Sequence, residues 1–337
     1  MLYMALLLIF LFILIIQQLA FSNDQQESKY NRISNLAGCW TKGEWVYNES
    51  HTPLFIDHQG EHTNCRQRES HTDYINSLKW QWEVQSSCTY KIPDRRTFCE
   101  TLNGRNILIV GDSTSWTFAS TIMDFAVEYK WIGSQFDAEP VPVRICKSSD
   151  LLFIRNDILS LVQRNEVMLD TVVQDGNIVE FSWIDHLLSG KYEIVIFNRG
   201  AHYFPDPILK DNLKLLGHYL NDTTVRNKTT IFYRNTVAGH HNCENFTKPD
   251  NNNKYVDSDV KGYHWHNFAR QNIFVIKYMK SIGAYIIDAN ATSFFRPDHH
   301  LGPGDCLHYC IPGPVDTWLI FFWNLLALHD ALQVVNS

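Results

Sequence analysis

From residue 102 onward, short and nearly continuous apolar runs alternate with stretches whose apolar residues recur at helical spacing. NILIV (106–110), VPVRIC (141–146), IVEFSW (178–183), YEIVIF (192–197), TTIFYR (229–234) and AYIID (284–288) read as strands. They are short, rich in β-branched and aromatic residues, and bounded by turn formers. Helical patterns follow Ser113, in TSWTFASTIMDFAVEY, and fall around 150–170, 207–220 and 266–281. Runs that are apolar at every position belong in a sheet covered on both faces, and their alternation with helices makes that sheet parallel. The pattern predicts a three-layer α/β/α sandwich with a mostly parallel central sheet over residues 101–337. Sites in such folds lie in loops beyond the carboxyl ends of the strands. The apolar stretch TWLIFFWNLLALHDAL is broken by Asn324, His329 and Asp330, and reads as a helix packed on the sheet rather than a membrane span.

The other end has a different pattern. Met1 to Ile16 is apolar throughout, and QQLAF extends the run toward the ~20 residues that cross a bilayer. Residues 1–22 are therefore expected to be a signal anchor, with a cleaved signal peptide ending near Ala20-Phe21-Ser22 as the rival. Either sends the remainder into the secretory lumen. Residues 23–35 are polar and aperiodic, as in a stem. Residues 36–100 hold Trp40, Trp45, Trp80 and Trp82 with four cysteines and few apolar runs, which predicts a small disulfide-held subdomain or cap.

Charge and composition then exclude classes of partner. The net charge is −7 and no dense Lys/Arg run exists, so no nucleic acid is expected. Eight cysteines are an even number in an oxidising compartment, which predicts several disulfides, with 105 complete pairings left open by the sequence. Sequons at Asn48, Asn221, Asn227, Asn245 and Asn290 are glycosylation candidates in that compartment.

The candidate chemistry comes from two places. ILIVGDSTSW sets Ser113 just past a strand and at the start of a helix. There the helix N-terminal N–H groups favour developing negative charge, and Gly111 permits the turn. A serine needs a base oriented by a carboxylate. GDCLHYC supplies Asp305 and His308 at a spacing of three, the spacing of one helical turn, with Cys306 and Cys310 to fix the segment. Asn198, after the strand YEIVIF, is a candidate oxyanion donor together with the Ser113 N–H, and Gly200 leaves room for close backbone approach. Simple helix capping by Asp112 or Ser113 is the plainer alternative at the first place, and a solvent-facing disulfide loop at the second. The histidines at 240–241, 264, 266 and 299–300 come without an HExxH or CxxC set, so no metal is expected. The many aromatics also allow a glycan-binding module without chemistry.

Together GCWTKGEWVYNES, LIVGDST, FNRGAHYF, YRNTVAGHHNC, RPDHH and DCLHYCIPGPVDTW resemble, in this order, the trichome-birefringence-like or PC-esterase family of polysaccharide O-acetyltransferases, within the SGNH/GDSL-like superfamily. The last string matches the family's Asp-Cys-x-His block. The resemblance implies an SGNH-like fold, Ser113 as nucleophile, His308 as base and Asp305 as its orienting acid. It further implies acetyl transfer to a glycan hydroxyl through an acyl-serine in the Golgi lumen, with a single-pass type II anchor or, alternatively, secretion. The co-substrate would be an acetyl donor of unknown identity, supplied by a membrane protein in one version, and no bound cofactor is needed. His202, Arg234, His240, Arg296, Asp298 and His300 fall in the matching blocks as oxyanion or acceptor-binding candidates, and Asp298 with His300 is a rival acid–base pair. The Trp-rich cap and the loop around 240–266 would line the acceptor groove. Departures from the family pattern are GDST itself, Tyr309 in place of Trp, and AHYF in place of GHWW. They leave the acceptor open, and a carbohydrate O-acetyl esterase with the same triad is the alternative.

Overall fold

The computed structural model describes residues 29–54, 65, 71–127, 140–160, 166–169, 177–252, 264–302 and 304–334. The expected anchor or signal peptide at 1–22, and part of the 240–266 loop, lie outside the described residues. Among the described residues no helix is long and apolar enough to cross a membrane.

The expected stem ends earlier than residue 35. Residues 29–40 form a helix, α1, because Ile33 finds a buried site and the Tyr30 hydroxyl donates to the Ala284 carbonyl at 2.8 Å. Next come β1 (Gly43–Tyr47), α2 (His71–Ser77), β2 (Trp80–Val84) and α3 (Arg95–Leu102). Then follow β3 (Ile107–Gly111), α4 (Ser113–Ala126), β4 (Val143–Ile145) and β5 (Ser149–Arg155). Strands β6 (Glu166–Leu169) and β7 (Asn177–Glu180) lead to α5 (Ile184–Leu188), β8 (Ile194–Phe197), α6 (Asp206–Leu220), α7 (Thr223–Lys228) and β9 (Thr230–Arg234). The last elements are α8 (Phe268–Ser281), β10 (Tyr285–Ile287), α9 (Ala289–Ser293), β11 (His300–Gly302), β12 (Asp305–Tyr309) and α10 (Pro314–Val334).

The central sheet runs β10-β9-β8-β3-β5-β4, parallel except for the antiparallel edge strand β4. The period of two along each strand divides its side chains between two cores. Ile107, Ile109, Phe153, Ile194 and Ile196 face α4 and α10, whereas Leu108, Val110, Ile154, Val195 and Phe197 face α6 and α8. The arrangement is the expected three-layer sandwich. From β3 the chain steps outward to β5 and then returns past β3 to β8, which opens a crevice at the carboxyl ends of β3 and β8.

Two local expectations differ. The stretch from 150 is not helical: SDLLFIR forms β5, because Leu151 and Phe153 enter one core while Leu152 and Ile154 enter the other. IVEFSW does not join the main sheet, since β7 ends at Glu180 and pairs with β6 in a separate hairpin.

The Trp-rich region 36–100 packs as a wall of the larger core rather than around a core of its own. Trp40, Trp45 and Trp82 are buried in the same cluster as β3 and α10. Disulfide Cys39–Cys88 closes within this region, while Cys65–Cys310 and Cys99–Cys146 tie it to the sheet domain. With Cys243–Cys306, all eight cysteines are paired.

Candidate active site

The sharp passage from β3 into α4 brings Ser113 to the crevice. Asp112 is the N-cap of α4, and its carboxylate accepts from the Thr114 and Ser115 amides and from the Thr114 hydroxyl. Capping at Asp112 and presentation of the next hydroxyl to His308 are thus one piece of geometry, not alternatives. The Ser113 N–H takes no part in these bonds and stands at the positive end of a 14-residue helix. Gly111 is required by proximity: a Cβ there would collide with the Ser115 side chain and lie 3.2 Å from the Asn198 carbonyl.

Asp305 and His308 arrive from the other side on β12, and not on a helical turn. In a strand, positions three apart point to opposite faces, so the pair needs another device. The Asp305 carboxylate curls over its own backbone, accepting from the Leu307 and His308 amides at 3.2 and 3.0 Å. It thereby reaches His308 Nδ1 at 2.8 Å. His308 Nε2 lies 2.7 Å from Ser113 Oγ. Burial pushes the Asp305 carboxyl upward, but the bond from His308, its charge and the two amides outweigh this and hold the carboxyl below its usual range. Asp305 is thus a carboxylate, able to fix Nδ1 as the protonated nitrogen and leave Nε2 as the base.

Cys306 and Cys310 fix this strand as expected, each bonded to a distant partner, Cys243 and Cys65. The acidic Glu244 near Cys243 and Cys306 is no metal centre, since both sulfurs are in the disulfide.

The remaining candidates divide. Asn198 is buried at the end of β8, where its amide nitrogen donates to the Arg234 carbonyl at 2.9 Å and its oxygen accepts from the Ser115 hydroxyl at 3.4 Å. Gly200 packs where a Cβ would strike Thr236. His202 Nε2 stands 3.4 Å from the Asp157 carboxylate.

Arg234 does not face a glycan: it is wholly buried, donating to Thr114 Oγ1 at 2.6 Å and Ser115 Oγ at 3.1 Å, with Asp112 at 3.8 Å. Burial lowers its guanidinium to about 10, countered by Asp112, and it stays charged. Behind the nucleophile it closes a network that the sequence signalled only as GDST. Arg296 and Asp298 form a buried bidentate pair at 2.9 and 3.0 Å, and Arg296 also lines the cavity beside Trp45 and Trp80. Asp298 is therefore committed to Arg296 and does not make an acid–base pair with His300. His240 and His300 are buried against each other, 2.6 Å apart.

Trp45 and Trp82 are core residues, with the Arg296 guanidinium over the Trp45 ring at 4.5 Å. A cavity of about 480 Å³ beside them is lined by Trp80, Asn48, His51 and Asp316, and neither Ser113 nor His308 is among its described lining residues. Of the sequon residues, Asn221, Asn227 and Asn245 are exposed, and Asn48 and Asn290 are half-buried.

No family profile matches this chain. It is similar to the Arabidopsis thaliana protein trichome birefringence-like 39, 23% identical with 85% of this chain and 86% of that protein aligned. Trichome birefringence-like 7 of the same plant is 25% identical over 83% of this chain and 72% of its own length. Xylan O-acetyltransferase 6 of Oryza sativa subsp. japonica is 21% identical over 85% of this chain and 62% of its own. Among solved structures, a GDSL-like lipase from Parabacteroides merdae aligns over 67% of this chain and 96% of its own, with a TM-score of 0.38 and 11% identity. Over most of its length the chain is homologous to the trichome birefringence-like proteins and xylan O-acetyltransferases.

Proposed function

We propose that the protein is an acyltransferase that moves an acetyl group to a hydroxyl of a polysaccharide through an acyl-serine. The observation that carries this reading is the connected line from Asp305 Oδ2 to His308 Nδ1 at 2.8 Å and from His308 Nε2 to Ser113 Oγ at 2.7 Å. Ser113 Oγ attacks the carbonyl carbon of the acetyl donor while its proton passes to His308 Nε2. The tetrahedral oxyanion forms at the α4 N-terminus against the Ser113 N–H. Asn198 spends one amide N–H on Arg234 and has a second for the oxyanion. Protonated His308 gives its proton to the leaving group, and acetyl-Ser113 remains. A glycan hydroxyl then attacks, surrenders its proton to His308, and leaves as the acetate ester with serine restored. The relatives' names favour xylan as the first acceptor to try. Four disulfides fit an oxidising compartment, and a secretory location with residues 1–22 as anchor belongs to the same proposal.

A second reading, carbohydrate O-acetyl esterase, uses the same acyl-serine with water as the attacking group. It is favoured by the partial exposure of His308 and Asp305, 24% and 39%, which admits water to the base. Incubating the purified protein with an acetyl donor and a panel of glycans including xylan separates the two by mass spectrometry. Acetylated glycan is the expected product, free acetate alone identifies an esterase, and absence of a Ser113-dependent acetyl adduct overturns both.

A further inference from the structure

Behind His308 two buried imidazoles make more hydrogen bonds than their neutral forms have protons for. His240 Nε2 lies 2.8 Å from the Phe294 carbonyl, and His300 Nδ1 lies 3.1 Å from the carbonyl of His308 itself. A carbonyl oxygen only accepts, so each of those nitrogens carries a hydrogen. A neutral imidazole has one N–H, and both are now spent. Yet His240 Nδ1 and His300 Nε2 face each other at 2.6 Å, where two lone pairs would repel. One additional proton turns that repulsion into a short, charge-assisted hydrogen bond.

We infer that His240 and His300 together hold one extra proton, and that the resulting imidazolium–imidazole link is a positioning device for the strand that carries the base. This rests on the reading of His308 as base. The link joins three segments. The His240 amide donates to the Cys306 carbonyl at 2.9 Å, His300 pairs with Tyr309 across β11 and β12, and its ring lies on the Tyr309 ring at 4.2 Å. The Tyr309 hydroxyl in turn lies 3.0 Å from both the Ala238 and Ser293 carbonyls, which share its one hydrogen. His240 and His300 are therefore positioning residues rather than the acceptor-binding groups expected from their motifs.

The charges around the link compete. Burial lowers the His240 imidazolium and His241 opposes the proton, while the Phe294 carbonyl, Asp298 and Asp250 favour it. The His300 nitrogen 2.6 Å away adds an acceptor that a lone buried imidazolium would lack and so raises the pH at which the proton leaves. Of the other groups packed nearby, Asp298 is shared with Arg296, His299 Nδ1 faces Ser77 and Arg296, Asp305 is held by His308, and Glu244 flanks Cys306. The proton is thus held at a cost and leaves as pH rises. Its loss obliges one ring to release its carbonyl. When that ring is His300, the backbone of the base loses its brace, so turnover declines on the alkaline side.

Histidine-¹⁵N-labelled full-length protein, followed by long-range proton–nitrogen spectra from pH 5 to 8, reads the link without any need for activity. Two rings sharing a single titrating proton are expected, in the Ser113→Ala protein as well. Both rings neutral throughout that range would overturn the inference. For function, His300→Leu is expected to lower kcat about 10- to 100-fold with KM nearly unchanged, the scale of a misplacement of about 1 Å. His300→Asn keeps an amide N–H for the His308 carbonyl and requires no extra proton. It is expected to recover most of kcat and to lose the alkaline decline. A His300→Asn protein with the unsubstituted pH profile would overturn the inference. If His300→Leu does not fold, the spectra and the Asn variant decide. A Ser113→Ala protein that keeps full activity would instead sink the triad reading and leave the spectral test standing.

Discussion

Ser113 and His308 meet at 2.7 Å, but the structure holds them by different means. Ser113 follows β3, which has parallel neighbours on both sides and apolar residues buried on both faces. Its turn is pinned by Asp112 and Arg234, both out of water. His308 belongs to a two-stranded hairpin outside the central sheet, partly exposed, held by two disulfides and the His240–His300 contact. The nucleophile is thus placed by the interactions that fold the whole domain. The base is placed by a few local bonds, which can be cut one at a time.

That contrast predicts which substitutions separate activity from stability. The largest effect is expected for Ser113→Ala, about 10⁶-fold in kcat, with Asp305→Asn near 10⁴-fold because the imidazole loses its tautomer. Steady-state rates and intact mass check both, and thermal midpoints should move little. Arg234→Met should do the reverse and act first on stability. It leaves Asp112 charged and unpaired in the interior, which costs about 3–5 kcal/mol, readable by urea unfolding. Retained stability there would show that the front half does not depend on this network. Replacing Cys243 and Cys306 together by serine should lower kcat about 10- to 100-fold while the central sheet keeps its amide-exchange protection. Equal loss of both would erase the distinction between the halves.

A pH-dependent effect lies at the seam between the Trp-rich N-terminal region and α10. Burial pushes the Asp316 carboxyl up to about 7, against amide bonds from Gly313 and Leu54. The folded state holds this proton more tightly than the unfolded chain. Its contribution to stability is therefore complete below about pH 4 and is lost as pH rises toward 7. Asp316→Asn should flatten that decline in urea midpoints measured across the range, and an unchanged slope would assign it elsewhere.

The layering and the front of the site were legible because they are written locally. NILIV followed by GDS encodes a buried strand, a cap and a hydroxyl at the helix start within a few residues. The Asp305–His308 partnership was legible as a pair of residue types but not as geometry, because the curl of Asp305 over its own amides has no periodic signature. β5 was obscured by the apolar run LLFI, which suits a buried helix as well as a strand until its neighbours are known. Arg234, Arg296 and Asp298 look like surface chemistry in a sequence. Their burial depends on partners, Asp112 among them, that only the folded chain brings into place.

The disulfides give the base a history as well as an address. Cys310 is joined to a residue 245 positions earlier and Cys306 to one 63 positions earlier. The imidazole therefore reaches its serine only after widely separated stretches of chain have been threaded together and oxidised. A nascent or reduced molecule would possess the sheet and its hydroxyl but no organised proton acceptor. Mild thiol treatment should accordingly silence the protein before it melts it, so that chemistry begins only once maturation is complete.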